Sequence, residues 1–218
     1  MERTLDRDLD EIRQSLLRMG GLVEAMLDQA EKSLMERDAD LAKHVIKSDP
    51  EVDRIEMDLD EMCYSVLARY QPAAVDLRFV AAVIKINNDL ERVGDSAVNI
   101  AQAVLALSEE PPLKPYIDLP RLFEIVRGMV RDSLDSLVRQ KPSQALDVCD
   151  RDDQVDGLYK QIFRELLTYM IEDPKVVTRA LHLLLISRNL ERVADHATNI
   201  AEDVIYYVEG RDVRHSAK

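Results

Sequence analysis

The chain has 218 residues, 46% of them hydrophobic, with six Gly, eight Pro, no Trp and a formal net charge of −13. That length holds one large core or two small ones. Scarce Gly and Pro beside abundant Ala, Leu, Glu and Arg favour helix throughout. The charge is lopsided: residues 1–110 hold 13 basic and 24 acidic side chains (net −11), and 111–218 hold 16 and 18 (net −2). No basic stripe is present to neutralise phosphates, which argues against a nucleic-acid partner.

The opening segment, MERTLDRDLDEIRQ, is acidic and amphipathic rather than basic and then apolar, and no stretch approaches the ~18 uninterrupted apolar residues of a membrane span. A first helix follows from Leu5, Leu9, Ile12, Leu16, Met19, Val23, Met26, Leu27, Ala30 and Leu34, spaced at three and four. Gly20-Gly21 lies inside that pattern, as a hinge or as a place where another helix packs closely. After Arg37 the sequence DADLAKHVI restarts a helix, with Asp38 or Asp40 as its cap and a bend expected at Asp49-Pro50. This second helix ends near Gln71-Pro72, and a third runs from about 75 to 107. Pro111, Pro112, Pro115 and Pro120 then crowd one stretch, so residues 108–120 are expected to connect two halves. Beyond it, helix four is predicted over 121–139, helix five from Pro142 to about Met170, and helix six from about Lys175 to Tyr207, before Gly210. Cys63 and Cys149 stand at non-equivalent places and outside any CxxC, which gives no support to a disulfide framework or a thiolate metal site. The reading is a soluble, reduced, cytoplasmic protein.

The two halves are copies of one unit. Residues 88–101, NDLERVGDSAVNIA, return as 188–201, RNLERVADHATNIA, and Leu34, Ala42, Val45, Asp49, Val52 and Asp53 match Leu137, Ala145, Val148, Asp152, Val155 and Asp156. The offset is 103 upstream and 100 in the last helix, so the first copy carries three extra residues around its Gln71-Pro72 hairpin. The expected architecture is all-α, a tandem repeat of two three-helix bundles over 1–107 and 121–218.

The repeat preserves acids as well as core formers. Glu91 and Asp95 lie one turn apart on one helix face, with Asn99 a turn further, and Glu191, Asp195 and Asn199 repeat them. Asp49 with Asp53, and Asp152 with Asp156, carry the same spacing on helices two and five. Folding each hairpin back at 71–74 or near 173 brings both pairs to one level, four carboxylates per repeat. The apolar seam of helix three is Ile86, Leu90, Val93, Ala97, Ile100 and Val104, so Glu91, Asp95 and Asn99 are expected to be exposed opposite it. Like charges at this spacing cost a helix about 0.2–0.5 kcal/mol per pair. A hard cation reverses that sign, since carboxylates suit Mg, Ca, Mn and, by geometry, Fe or Zn. The bland reading is a solvated acidic face screened by Arg92 and Arg192. The coincidence in both hairpins of both copies favours metal.

Other residues give weaker signals. Glu56 and Asp60 extend one acid row, but their counterparts are Tyr159 and Phe163. His196 replaces Ser96 and reads as a surface histidine; His44, His182 and His215 form no metal-ligand spacing. Met19, Met26, Met57, Met62, Met129 and Met170 read as core filling, and Tyr206-Tyr207 as the close of a bundle end. No nucleophile elbow, phosphate-cradling loop or triad is present, so no enzyme activity is expected.

With RMGGLVEAML (18–27), DADLAKHVI (38–46), YQPAAVDLRFV (70–80), LERVGDSAVNI (90–100), LTYMIED (167–173), LERVADHATNI (190–200) and YYVEGRDVRH (206–215), nearly the whole chain resembles the PhoU phosphate-transport regulators. The resemblance implies two similar three-helix bundles and a negative regulator of the phosphate-starvation response. Its implied partners are the ATPase subunit of the phosphate ABC transporter and a membrane sensor histidine kinase, with recruitment to the membrane only through them. It also implies homodimers and surface metal clusters (Mg, Mn, Fe or Zn). The family's motif maps onto Asp49, Asp53, Glu91, Asp95, Asp152, Asp156, Glu191 and Asp195, with Asn99 and Asn199 as secondary candidates. The rival readings are a metal-dependent helical enzyme, which the missing histidine ligands disfavour, and a plain helical scaffold. A phosphate-binding sensor is disfavoured by an acidic face that repels the ligand.

Overall fold

The computed structural model describes residues 4–213, so His215 lies outside the described residues. Six long helices follow in order: α1 (Thr4–Glu36), α2 (Ala39–Tyr70), α3 (Ala74–Ser108), α4 (Asp118–Arg139), α5 (Pro142–Glu172) and α6 (Val177–Glu209), the last preceded by a short 3₁₀ turn, Pro174–Val176. The architecture is the expected all-α tandem of three-helix units.

Each element ends where its local chemistry dictates. Asp38 caps α2, its carboxylate accepting from the N–H groups of Asp40 and Leu41 at 2.9 and 3.0 Å. Arg37 and its counterpart Gln140 both take left-handed φ values, 56° and 49°. Just past each, the next N–H bonds back to a serine carbonyl, Asp38 to Ser33 and Lys141 to Ser136, each at 3.0 Å. Gly210, with φ 69°, ends α6 without a Cβ penalty.

One proline behaves differently from expectation. Helix α4 starts at Asp118, not at 121, because Pro120 falls in the first turn, where the missing N–H has no intrahelical partner to lose. Pro50 lies inside α2, which continues from Ala39 to Tyr70 without a break. The connector therefore shrinks to 109–117. It is pinned by Arg37, which donates to the carbonyls of Leu107, Ser108 and Glu110, and by Arg179, which bonds the Pro111 carbonyl.

One continuous apolar core runs through both units. Helices α3 and α6 form its spine, packing on each other across the repeat boundary while each also holds its own unit together. The predicted seam of α3 is wholly buried. Gly20 is no hinge: α1 runs through it, and a Cβ there would stand 2.4 Å from Leu134 Cδ1 of α4, so it marks close helix packing. Met19, Met26 and Met129 fill core, but Met57 is exposed, a correction to the core reading of that set. Tyr207 closes the bundle end as expected, its ring 5.4 Å from that of Phe79 and its hydroxyl bonded by Gln140.

Candidate metal centres on the two hairpins

Helices α2 and α3 form one antiparallel hairpin and α5 and α6 the other. Close packing at Gly94, where a Cβ would meet Val52 at 3.4 Å, sets α3 against α2 at the level of the acids. The fold-back brings the predicted acids into mutual range. Asp49, Asp53, Glu91 and Asp95 influence one another electrostatically along the first groove, and Asp152, Asp156, Glu191 and Asp195 do so along the second.

The burial differs from expectation. Glu91 and Glu191 are not exposed: their side chains keep only 22% and 14% of their surface, because the opposing helix walls the groove. Asp53 and Asp195 are open, and Asp49, Asp95, Asp152 and Asp156 are half-buried. Burial first, then the charge of Asp95 and more weakly of Glu56 and Asp53, raises the Glu91 carboxyl above its ordinary value; Arg92 opposes. In the second groove, burial and then Asp195 raise Glu191 against Arg188, with Asp156 and Asp152 adding to the rise. Asp49 is raised by burial, then by Asp53 and Asp95. Asp195, though it reaches solvent, is raised by desolvation against the helix surface, while His196 and Arg188 pull the other way.

Cations inside the chain already compensate part of this charge. Arg92 stands 3.4 Å from both Glu91 and Asp95. In the second groove the work falls to Arg188, 2.7 Å from Glu191, and Lys160, 2.8 Å from Asp156, with Arg192 only a weaker influence on Asp195. The secondary candidates do not join the sets in the same way: Asn99 is exposed, and Asn199 donates to Asp89 of α3 at 3.2 Å. Among the described residues, no three acid, His or Cys side chains converge closely enough to hold one ion as they stand.

One observation fits a cation nonetheless. Oε2 of Glu91 and of Glu191 is buried without a hydrogen bond in both repeats, that of Glu91 lying 3.4 Å from Nε of Arg92. A buried carboxylate oxygen left so is costly, and the donor set around each, oxygen-only and acidic, suits hard cations.

A cleft of about 550 Å³ between α2, α3 and α6 was not anticipated. Glu56, Asp60, Lys85, Asp89, Asn199 and Asp203 are among the residues lining it. Lys85 pairs with the buried Asp203 at 2.8 Å, and His196, read as a surface residue, is largely buried and bonds Asp89 at 2.8 Å. The sequence did hint at it through Glu56 and Asp60, one turn apart. Because that pair is not duplicated, the repeat logic passed over it.

The domain pattern behind this duplicated geometry is identifiable. The PhoU domain matches twice, over residues 16–104 and 119–204, the two three-helix units. The chain belongs to the PhoU family. It is 44% identical over 211 residues to a phosphate-specific transport system accessory protein PhoU homolog of Aquifex aeolicus, covering 97% of this chain and 96% of that one. It is 41% identical to the homolog of Pseudomonas aeruginosa, over 99% of this chain and 89% of that protein. The crystal structure of PhoU from Pseudomonas aeruginosa superposes with a TM-score of 0.93, covering 95% of this chain and all of that one. The phosphate transport system regulatory protein PhoU from Streptococcus pneumoniae, 29% identical, gives 0.90 over 96% and 99%. Among the described residues of this PhoU-family chain, no helix is long and apolar enough to cross a membrane.

Proposed function

We propose that this chain is an accessory protein that regulates phosphate transport, a cytoplasmic negative regulator coupling the phosphate ABC transporter to a sensor histidine kinase. The observation that carries the reading is the double PhoU domain, spanning nearly the whole chain, with relatives named as phosphate-specific transport system accessory proteins. In this reading transport status reaches the kinase through contacts on the helical surfaces, with no chemistry on the protein itself, and the protein works as a homodimer.

Divalent or trivalent cations would sit on the two carboxylate sets: Asp49, Asp53, Glu91 and Asp95, then Asp152, Asp156, Glu191 and Asp195. A bound ion would give Oε2 of Glu191 a partner, add to the Arg92 contact at Oε2 of Glu91, and cancel the like-charge repulsion in each groove. A plain scaffold is the second reading, favoured by the charge compensation that Arg92, Arg188 and Lys160 already supply.

The test has two arms. In a strain lacking its own copy, expression of this chain should restore repression of a phosphate-starvation reporter at high phosphate; failure to repress would remove the regulatory reading. Elemental mass spectrometry on protein purified without chelator or tag should find stoichiometric metal, lost when Glu91, Asp95, Glu191 and Asp195 are changed to Ala. Metal absent from both proteins would leave the scaffold reading.

A further inference from the structure

The polar bonds that orient α3 and α6 are not shared evenly by the two copies. In the first hairpin the tie stays inside the unit. The fully buried Asn87 of α3 donates to the Glu56 carbonyl and the Asp60 carboxylate of α2, at 2.9 and 3.1 Å. Its counterpart in α6 is Ser187, which donates to the Leu184 carbonyl of its own helix.

Helix α6 is tied to the other unit instead. Oδ1 of Asp89 in α3 meets His196 Nδ1 at 2.8 Å and accepts from the Asn199 amide at 3.2 Å. Those two donors sit on the turn of α6 that carries Asp195. One turn away along both helices, Lys85 pairs with Asp203 at 2.8 Å. The equivalent positions make no such tie. Leu185 and Ala103 stand for Lys85 and Asp203. Ser96 and Asn189 each donate to a carbonyl of their own helix, and Asn189 Oδ1 is buried without a hydrogen bond.

We propose that Asp89 is a positioning residue for the second carboxylate set, so that cation binding in the second unit depends on a side chain of the first. This role rests on the cation reading above. Asp152 and Asp156 come from α5, whereas Glu191 and Asp195 come from α6. The four can close on one ion only if α6 holds a single height and rotation against α5. Apolar packing is non-directional and fixes that rotation loosely; a hydrogen bond has a direction. His196 and Asp89 keep only 18% and 15% of their side-chain surface, so the bond lies where water competes little for it. Removing a polar partner that orients a metal set typically costs 10–100-fold in affinity. The first set has its own brace in Asn87 and needs nothing from the second unit.

The test uses the intact chain and Mn²⁺ alone, with binding followed by calorimetry. Glu91→Gln with Asp95→Asn silences the first set and leaves the second to be read. Glu191→Gln with Asp195→Asn does the reverse. Into each background go Asp89→Asn and His196→Ser, which give each position the residue that the other copy carries. The fold already tolerates both, and unchanged helical circular dichroism checks it. With the first set silenced, each substitution should weaken Mn²⁺ binding about tenfold. The two together should do no more than either alone, because both remove one bond. With the second set silenced, His196→Ser should leave the Kd where it was.

A loss with Asp89→Asn but not with His196→Ser would assign the effect to charge and overturn the positioning role. Equal losses in both backgrounds would make the bond a general brace and overturn it as well. No Mn²⁺ bound by the wild type would overturn the cation reading and this role with it. Binding that neither substitution weakens would overturn the role alone.

Discussion

The two hairpins are copies of one design that have come to differ in what they present. The α2–α3 hairpin is acidic along its whole groove, from Asp49 through Glu56 and Asp60 into the cleft closed by Lys85 and Asp203. The α5–α6 hairpin keeps the matching acids at Asp152, Asp156, Glu191 and Asp195, then turns apolar from Phe163 onward. What both retain is the acid set beside a buried Glu oxygen, so that set is the common device and the flanks are the specialised parts. The lesson is that duplication fixes a helical frame through its core positions. The solvent-facing positions, which the core does not constrain, are free to diverge.

The sharpest way to break the comparison is at Pro50, whose counterpart in α5 is Asp153. A proline inside a helix forfeits one backbone hydrogen bond and crowds the preceding turn, at a cost of about 3 kcal/mol. Asp153→Pro should therefore lower the unfolding free energy by about that amount in urea titrations, while Pro50→Ala should raise it by up to as much. Equal effects of opposite sign would mean the two helices are interchangeable. A neutral Pro50→Ala would mean that α2 has adapted to its proline.

A smaller difference lies in the first helices of the two units. Gly20 of α1 corresponds to Phe123 of α4, which is fully buried. Gly20→Ala drives a Cβ toward Leu134 and should cost about 1 kcal/mol net, with overpacking of ~1–3 kcal/mol outweighing the ~1 kcal/mol helix gain. Gly21→Ala meets open space and should instead stabilise by about 0.5–1 kcal/mol. Melting temperatures moving in opposite directions would confirm that only the first glycine is a packing site.

The joint between the units is also unequal. Asp89 and His196 bond across α3 and α6, whereas their counterparts, Asn189 and Ser96, each bond a carbonyl of their own helix. A double-mutant cycle with Asp89→Asn and His196→Ser should yield a coupling of about 1 kcal/mol. Additive effects would reduce the bond to a bystander.

The smallest expected effect concerns Glu91 and Glu191. Both carboxyls are raised from 4.5 by burial and then by a neighbouring aspartate. A raised folded pKa means that the protonated form favours the fold. The stability it contributes is fully present below 4.5 and is lost as pH rises through the raised value. At neutral pH, Glu91→Gln and Glu191→Gln should each stabilise by about 0.2–0.5 kcal/mol, the size of one like-charge pair. That gain should vanish near pH 4.5. A loss of stability at neutral pH would show that the Arg92 and Arg188 pairings outweigh the repulsion.

Much of this molecule was written in its sequence. Spacing at three and four gave six helices, because only a helix lines such residues along one face. The hundred-residue echo gave the two units, and the i,i+4 acids gave the four rows whose hairpin levels could be found by arithmetic alone. The start of α4 at Asp118 escaped the spacing although it follows a local rule, since first-turn N–H groups need no partner and Pro120 is tolerated there. Two features were decided only by the tertiary structure. Glu91 and Glu191 are walled in because the opposing helix covers them, a fact absent from either helix's own pattern. The cleft at Asp89 and Asp203 and the open row at Phe163 depend on how α3 meets α6 and on what then remains uncovered. Periodicity reports which face of a helix avoids water, but only the packing of six helices determines what each remaining face meets.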